Sequence, residues 1–186
     1  MTIEQARPEH AKEAAVLMYD AIHEIAHSLT GETEDNAVLE QLEDYFRSEG
    51  NRLSYENCLV KMMDGKAVGL VLAYHGKDAD ELDAAILDVL NKKYPDKELK
   101  LDSEADPEDY YIDTVSVNPE YGGNGIGTAL LEAITEKGKE LGHHTISLNV
   151  DEDNPAARRL YERLGFKEKK QITIIDHTYA YMVKKI

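Results

Sequence analysis

Residues 115–128 read VSVNPEYGGNGIGT. A strand-like run of β-branched residues passes through an Asn118-Pro119 turn into a cluster of glycines, and a helix is predicted from about Asn124 to Leu141. Because glycines have no side chains, their backbone N–H groups can approach a ligand closely. A helix start adds unpaired N–H donors and a partial positive charge. The segment therefore predicts an anion site suited to a diphosphate.

Two common phosphate-binding signatures do not fit this segment. A nucleoside-triphosphate loop needs a Gly-Lys-Ser/Thr ending, and the chain contains no such triplet. The dinucleotide fingerprint G-x-G-x-x-G is also missing, and the cluster follows the fourth predicted strand rather than the first. The predicted site is therefore expected to bind the diphosphate of a ligand other than a nucleoside triphosphate or a dinucleotide.

Strand and helix patterns follow one another along the rest of the chain. The second and third strands are joined by Asp64-Gly65, a strong hairpin signal because both residues tolerate a positive φ. The predicted strands cover residues 2–6, 57–63, 67–74, 110–117, 145–150, 166–175 and 177–183. The predicted helices cover about 8–30, 35–48, 124–141 and 154–164. This order predicts an α/β (α+β) fold with one sheet, as a single domain over residues 1–186.

Residues 76–109, called the acidic segment below, differ from their surroundings. They contain 12 acidic and 5 basic residues, so their local net charge is −7. The first half, residues 80–93, has a helical stripe of apolar residues, and residues 95–109 are polar and predict a long loop. We expect an insertion placed before the central strand rather than a separate domain.

Composition excludes several functional classes. The 186 residues include 37 Asp and Glu against 21 Lys and Arg, a net charge of −16, which argues against nucleic-acid binding because that needs clustered basic residues. No apolar run approaches the roughly 20 residues of a membrane span, and residues 1–5 lack the layout of a secretory signal. Cys58 is the only cysteine, as expected for a buried apolar residue in a reduced cytoplasm.

Two motifs together resemble the GCN5-related N-acetyltransferase (GNAT) superfamily. Residues 122–127, GGNGIG, are similar to its motif A, [R/Q]-x-x-G-x-[G/A], except that Gly122 stands where the family has Arg or Gln. Residues 154–166, NPAARRLYERLGF, match every fixed position of its motif B, N-x-x-A-x-x-L-Y-x-[KR]-x-G-F. Both motifs occur in the expected order and spacing, and the resemblance covers the chain outside the acidic segment.

The resemblance implies a mixed sheet that splays between strands 110–117 and 145–150. The pantetheine arm of acetyl-coenzyme A would lie in that split, and backbone amides of the glycine cluster would take the pyrophosphate. Asn154 and Tyr161 would flank the thioester. The implied cofactor-binding residues are Val115, Ser116, Val117, Gly122, Gly123, Asn124, Gly125, Ile126, Gly127, Thr128, Asn149, Asn154, Ala157 and Tyr161.

Acetyl transfer from acetyl-coenzyme A to a primary amine has two proton problems. A lysine-like ammonium must lose a proton before attack, and the leaving thiolate departs better when protonated. Tyr161 matches the family's usual general acid. Asp113 is the candidate base, because an unpaired carboxylate in an apolar strand has a raised pKa; Tyr111 on the same face, or a chain of waters, is the alternative. The acidic segment is expected to border the acceptor side and to gather cationic amines, and a homodimer is plausible by analogy with relatives.

Two other functions remain open at this stage. His23-Glu24-Ile25-Ala26-His27 spells H-E-x-x-H on a predicted helix, which is a zinc-hydrolase signature. The further glycine that metzincins require is missing, because Thr30 stands there, and we expect both histidines to line the acceptor pocket instead, with no metal. The other alternative is a sensor that binds acyl-coenzyme A without turnover.

Overall fold

The computed structural model describes residues 2–186. It contains seven strands and five α-helices, and the longest connection between them is the loop of residues 94–109. In chain order they are β1 (Thr2–Gln5), α1 (Ala11–Thr30), α2 (Asp35–Arg47), β2 (Cys58–Met63), β3 (Lys66–His75), α3 (Ala79–Lys93), β4 (Tyr110–Val117), α4 (Ile126–Glu140), β5 (Thr145–Asp151), α5 (Pro155–Arg163), β6 (Lys167–Ile174) and β7 (His177–Lys185).

The seven strands form one sheet in the order β1-β2-β3-β4-β5-β7-β6. Neighbouring strands are antiparallel except for the central pair, β4 and β5, which are parallel. Parallel neighbours need a crossover connection, and α4 supplies it. The Asp64-Gly65 turn between β2 and β3 has positive φ at both residues, 50° and 78°, as the hairpin prediction requires.

Helices cover both faces of the sheet, each over its own hydrophobic core. On one face α1, α2 and α3 bury residues such as Met18, Leu42 and Ile86 against β2 and β3. On the other face α4 and α5 bury Leu130 and Tyr161, among others, against the central strands. The chain thus has the three-layer arrangement that mixed sheets with crossover helices require.

The acidic segment splits into a helix and a loop, as its pattern predicts. Its helix, α3, contributes Ile86 and Leu90 to the core shared with α1 and α2, so it does not form a core of its own. Residues 94–109 form no helix or strand. The loop is fastened at its end to the sheet, where the hydroxyl of Tyr181 donates to Asp109 Oδ2 (2.6 Å) and accepts from the Asp106 amide (2.9 Å).

Two helices depart from their predicted form. α4 begins at Ile126 rather than near Asn124, because Gly125, the residue before it, is left-handed with φ 73°. α1 is interrupted at His23, whose φ of 25° and ψ of −97° lie outside the helical region. No helix in the described residues 2–186 is both long and apolar enough to cross a bilayer.

Candidate active site

The central strands β4 and β5 separate after only three paired positions. Tyr110, Tyr111 and Ile112 pair with residues 146–148, and no further pairing joins the two strands within the described residues. A cavity of about 610 Å³ opens where they part, with residues 112–117 on one wall, residues 148–151 on the other, and Asn154, Ala157 and Tyr161 at the α5 side. The predicted splay of the sheet is therefore present.

The open edge of β4 can bind an extended, amide-containing ligand. Residues 114–117 pair with β3 on one side, at residues 69–72, while their other side faces the cavity. Backbone N–H and C=O groups on a free strand edge are hydrogen-bonding groups without a strand partner, and an extended chain can add there as another strand would.

The glycine turn at the end of β4 exposes backbone donors. Gly123 and Gly125 have φ of 76° and 73°, and a Cβ on either residue would meet no heavy atom within 4 Å, so their requirement for glycine is conformational rather than steric. Asn124 fixes the turn, since its Nδ2 donates to the Tyr121 carbonyl (3.1 Å). The first backbone hydrogen bond of α4 runs from the Ala129 amide to the Gly125 carbonyl (3.0 Å). The N–H groups of residues 123–128 are therefore available to an anion.

Asn154, just before α5, and Tyr161, within α5, both line this cavity. Asn154 caps the helix, because its Oδ1 accepts from the Ala157 amide (3.1 Å). Tyr161 is 8% exposed, and its ring meets Phe166 edge-on with 6.1 Å between centroids. Burial raises the pKa of the Tyr161 phenol to about 12, so it carries its proton throughout the neutral range.

A second cavity, of about 630 Å³, adjoins the first and is called the acceptor cavity below. Its walls come from the interrupted part of α1, from the acidic segment and from the tip of the β6–β7 hairpin. The two cavities meet at the six residues that line both of them, which are Ala21, Ile22, Asp113, Asn149, Asp151 and Tyr179.

Asp113 is tightly paired at this junction. Its Oδ2 accepts from Arg52 Nε (2.7 Å) and Nη2 (2.6 Å) and from the Tyr74 hydroxyl (3.0 Å), and its Oδ1 accepts from Thr114 Oγ1 (2.9 Å). Burial disfavours the Arg52 cation, but Asp113 and then Glu104 raise its pKa well above the usual value. The sequence argument for Asp113 as a base applies to an unpaired carboxylate, whereas these four contacts show that Asp113 is paired.

Tyr111 belongs to the same hydrogen-bonded network. Its hydroxyl donates to Glu104 Oε2 (2.9 Å) and accepts from Asn149 Nδ2 (2.9 Å). Burial, followed by the charges of Glu104 and Asp113, raises its pKa well above 10, which disfavours Tyr111 as a base near neutral pH. Asn149 Nδ2 also donates to the Glu104 carbonyl (3.0 Å), which fixes the amide and leaves its buried Oδ1 without a partner among the described residues.

The H-E-x-x-H residues lie on the wall of the acceptor cavity, but not as one regular helical turn. The helix is interrupted at His23 itself, and both ring nitrogens of His27 are near partners, the Tyr19 hydroxyl (3.3 Å) and the Glu32 carbonyl (2.8 Å). In residues 2–186 no group of three or more His, Cys, Asp and Glu side chains is arranged to hold a metal ion. The geometry gives the zinc-hydrolase alternative no support.

Comparison with known proteins decides the family. The profile of the acetyltransferase (GNAT) family matches residues 19–166. The chain belongs to the GNAT acetyltransferase family. The family prediction and the predicted fold class are thereby confirmed, with the parallel, splayed β4–β5 pair at the centre of the GNAT sheet.

Solved structures agree over the full length of this GNAT chain. A crystal structure of an acetyltransferase is 30% identical, with both chains fully covered and a TM-score of 0.83. An N-acetyltransferase from Staphylococcus aureus Mu50 is 28% identical, with 99% of this chain and 100% of that chain covered and a TM-score of 0.85.

An uncharacterized N-acetyltransferase from Methanocaldococcus jannaschii is 37% identical over 75 residues, which are 40% of this chain and 31% of that protein. The match thus spans about a third of that curated relative.

Two residues at the centre of the site were not found from the sequence. Arg52 lies in an irregular stretch between α2 and β2 and is 2% exposed, and Glu104 lies in the loop of the acidic segment. Neither belongs to a motif, and each reaches the site only through tertiary folding. An arginine between one polar and one apolar residue, as in Asn51-Arg52-Leu53, carries no signal that separates it from a surface arginine.

Proposed function

We propose that this GNAT protein transfers the acetyl group of acetyl-coenzyme A to a cationic primary amine, with both substrates bound at once. The observation that carries the proposal is the junction of two cavities at Asp113, Asn149 and Tyr179, one in the β4–β5 split and one beneath α1. A ternary complex needs two such sites with a shared wall, so that the amine and the thioester meet.

The first cavity is proposed to hold acetyl-coenzyme A. The backbone of Val115, Ser116 and Val117 would bind the pantetheine amides along the open edge of β4. The N–H groups of residues 123–128 would bind the pyrophosphate at the start of α4. Gly122 offers no side chain to the diphosphate, so this chain relies on backbone donors where relatives of the motif add an Arg or Gln. Asn149, Asn154, Ala157 and Tyr161 would line the thioester end.

The acceptor cavity is proposed to select a cation. Four carboxylates line it, those of Glu24, Glu104, Asp113 and Asp151, against the single guanidinium of Arg52. Low-dielectric walls strengthen the field of such charges and attract a protonated amine. The charge of the acidic segment enters this cavity through Glu104, which supports the expectation that the segment borders the acceptor.

Tyr161 is the proposed general acid. The amine nitrogen attacks the thioester carbonyl carbon, the C–S bond breaks, and the leaving sulfur takes the phenolic proton; a proton lost by the acetylated nitrogen restores the phenol through solvent. No covalent acetyl-enzyme is proposed, because Cys58 is fully buried, lines neither cavity, and has its thiol pKa raised by burial. As the only cysteine it also suits a reducing cytoplasm, where we place the reaction.

Release of free thiol from acetyl-coenzyme A tests this function. The acceptors are spermidine, 1,4-diaminobutane, tyramine, a lysine-containing peptide and a peptide with a free N-terminus. We expect turnover with at least one of them, and faster turnover with dications than with n-butylamine. Binding of coenzyme A without turnover of any amine would favour the sensor alternative, and no binding would refute the proposal.

A further inference from the structure

Glu104 is the residue through which the acidic segment reaches the acceptor cavity. Among residues 76–109 it alone lines this cavity. Its Oε1 lies 2.8 Å from Arg52 Nη2, its Oε2 accepts from the Tyr111 hydroxyl (2.9 Å), and its carbonyl accepts from Asn149 (3.0 Å). The Glu104 side chain is 10% exposed, so it is held firmly yet remains in contact with the cavity.

The ion pairs around Arg52 leave an excess of negative charge. One guanidinium faces three largely buried carboxylates, at 2.6 Å from Asp113, 2.8 Å from Glu104 and 3.4 Å from Asp83. Buried carboxylates without full compensation are costly, and either a proton or a cationic ligand relieves the cost. Asp113 already has the shortest contacts, and Asp83 does not line the acceptor cavity. Of the three carboxylates paired with Arg52, Glu104 is therefore the one at which a cation entering the cavity gains most.

We propose, resting on the proposed acetyl transfer, that Glu104 binds the ammonium group of the acceptor and removes its proton. The ammonium becomes a neutral amine and the carboxylate a carboxylic acid; the nitrogen lone pair then attacks the thioester carbon, and Glu104 later releases its proton to solvent. Burial, opposed by Arg52, raises the pKa of Glu104, which suits proton transfer near neutrality. The acidic segment thus supplies a catalytic residue that neither sequence motif contains.

Other charged and titratable groups face Glu104 from every element around it and set its field. They are Arg52 before β2, Asp83 on α3, Tyr74 on β3, Tyr111 and Asp113 on β4, His23, Glu24 and His27 on α1, Asp151 on β5, His177 and Tyr179 on β7, and Lys100 and Asp102 in its own loop. Glu104 and Asp113 are the two carboxylates that both pair with Arg52 and line the cavity. Of these two, Glu104 keeps unoccupied lone pairs, since the oxygens of Asp113 already receive four donor contacts.

The Glu104→Gln variant tests this role through the pH dependence of kcat/KM. The amide has the shape of the carboxylate and can still accept from Arg52. The control is Glu108→Gln, which removes the same charge from an exposed residue of the same loop that does not line the acceptor cavity. The acceptor is whichever amine of the five-compound panel the wild type acetylates fastest.

If Glu104 takes the proton from the bound ammonium, kcat/KM of the wild type should not change with pH over a range, the plateau, below the pKa of the amine. The Glu104→Gln variant must instead wait for free amine, so log kcat/KM should rise by about one for each pH unit up to the amine pKa near 10. We expect its kcat/KM at pH 7 to fall about 10²- to 10³-fold, with acetyl-coenzyme A affinity within about twofold of wild type. Glu108→Gln should keep the plateau.

The outcomes separate this inference from the proposed function. A Glu104→Gln profile parallel to that of wild type overturns the role of Glu104 and leaves acetyl transfer intact. No turnover of any amine by wild type overturns both. Should Glu104→Gln not fold, the pH profiles of kcat/KM for wild type and for Glu104→Asp decide. We expect wild type to lose activity on the acidic side at a pH above the usual glutamate pKa, and Glu104→Asp to keep the plateau. A wild-type profile that rises with a slope of one throughout would contradict the inference.

Discussion

Removal of Arg52 should destabilise the protein far more than removal of an exposed arginine. The Arg52 side chain is 2% exposed and touches three carboxylates, of which Asp113 and Glu104 are at 2.6 and 2.8 Å. Breaking a buried ion pair by removing one partner costs about 3–5 kcal/mol, because the remaining charge stays desolvated. We therefore expect Arg52→Met to lower the free energy of unfolding by about 3–5 kcal/mol at pH 7.5, measured by urea denaturation.

The matched control is Arg47→Met. Arg47 pairs with Glu43 one helical turn away (2.7 Å), but its side chain is 47% exposed. Exposed pairs of this spacing contribute about 0.3–0.5 kcal/mol, so this variant should lose less than about 1 kcal/mol. A loss for Arg52→Met as small as that of the control would refute the idea that Arg52 holds the site together.

The cost of Arg52→Met should also depend on pH. Burial raises the pKa of both Glu104 and Asp83 even with Arg52 present. For a carboxyl group whose pKa is higher in the folded than in the unfolded state, folding is favoured below the unfolded pKa and this advantage is lost as pH rises through the folded pKa. Without Arg52 the folded pKa values rise further, so the difference from wild type should be larger at pH 7.5 than at pH 5. An equal difference at both pH values would contradict this account of the cluster.

Three further predictions concern acetyl transfer. Tyr161→Phe should lower kcat about 10²- to 10³-fold in the thiol-release assay while calorimetry finds acetyl-coenzyme A affinity within about twofold; unchanged kcat would remove the assigned role. Because the pKa of Tyr161 is about 12, wild-type kcat should not decline with rising pH below about pH 10, and a basic limb near pH 8 would indicate a different acid. Gly125→Ala should lower the free energy of unfolding by about 1–2 kcal/mol, because residue 125 has a φ of 73°. It should also weaken acetyl-coenzyme A binding by displacing the turn. Unchanged affinity and stability would show that the left-handed conformation of residue 125 is not required for binding.

The fold could be predicted from the sequence because its signals are local. The glycines after β4 and the Asp64-Gly65 hairpin require particular backbone dihedrals, and the apolar stripes of α2 and α3 have helical spacing. The interruption of α1 at His23 could not be predicted, since nothing in that stretch breaks the helical pattern. The start of α4 was placed two residues early, because sequence does not show which glycine is left-handed.

The residues proposed for the cofactor side can be named from the sequence, whereas those proposed for the acceptor side can be named only in part. Gly123, Asn154 and Tyr161 belong to contiguous motifs, whose spacing is visible in the chain. The acceptor side depends on a charge network between residues far apart, since Arg52 lies 61 positions before Asp113. Long-range pairing of this kind leaves no local pattern, and for that reason the pairing of Asp113 with Arg52 could not be predicted.

The most direct measurement of the central claim is a crystal structure of the wild-type protein with coenzyme A. We predict that the pantetheine arm lies between residues 115–117 of β4 and residues 148–150 of β5, hydrogen-bonded to the β4 backbone, with the pyrophosphate on the amides of residues 123–128. Coenzyme A bound elsewhere, with β4 and β5 still parted and empty between them, would contradict the account.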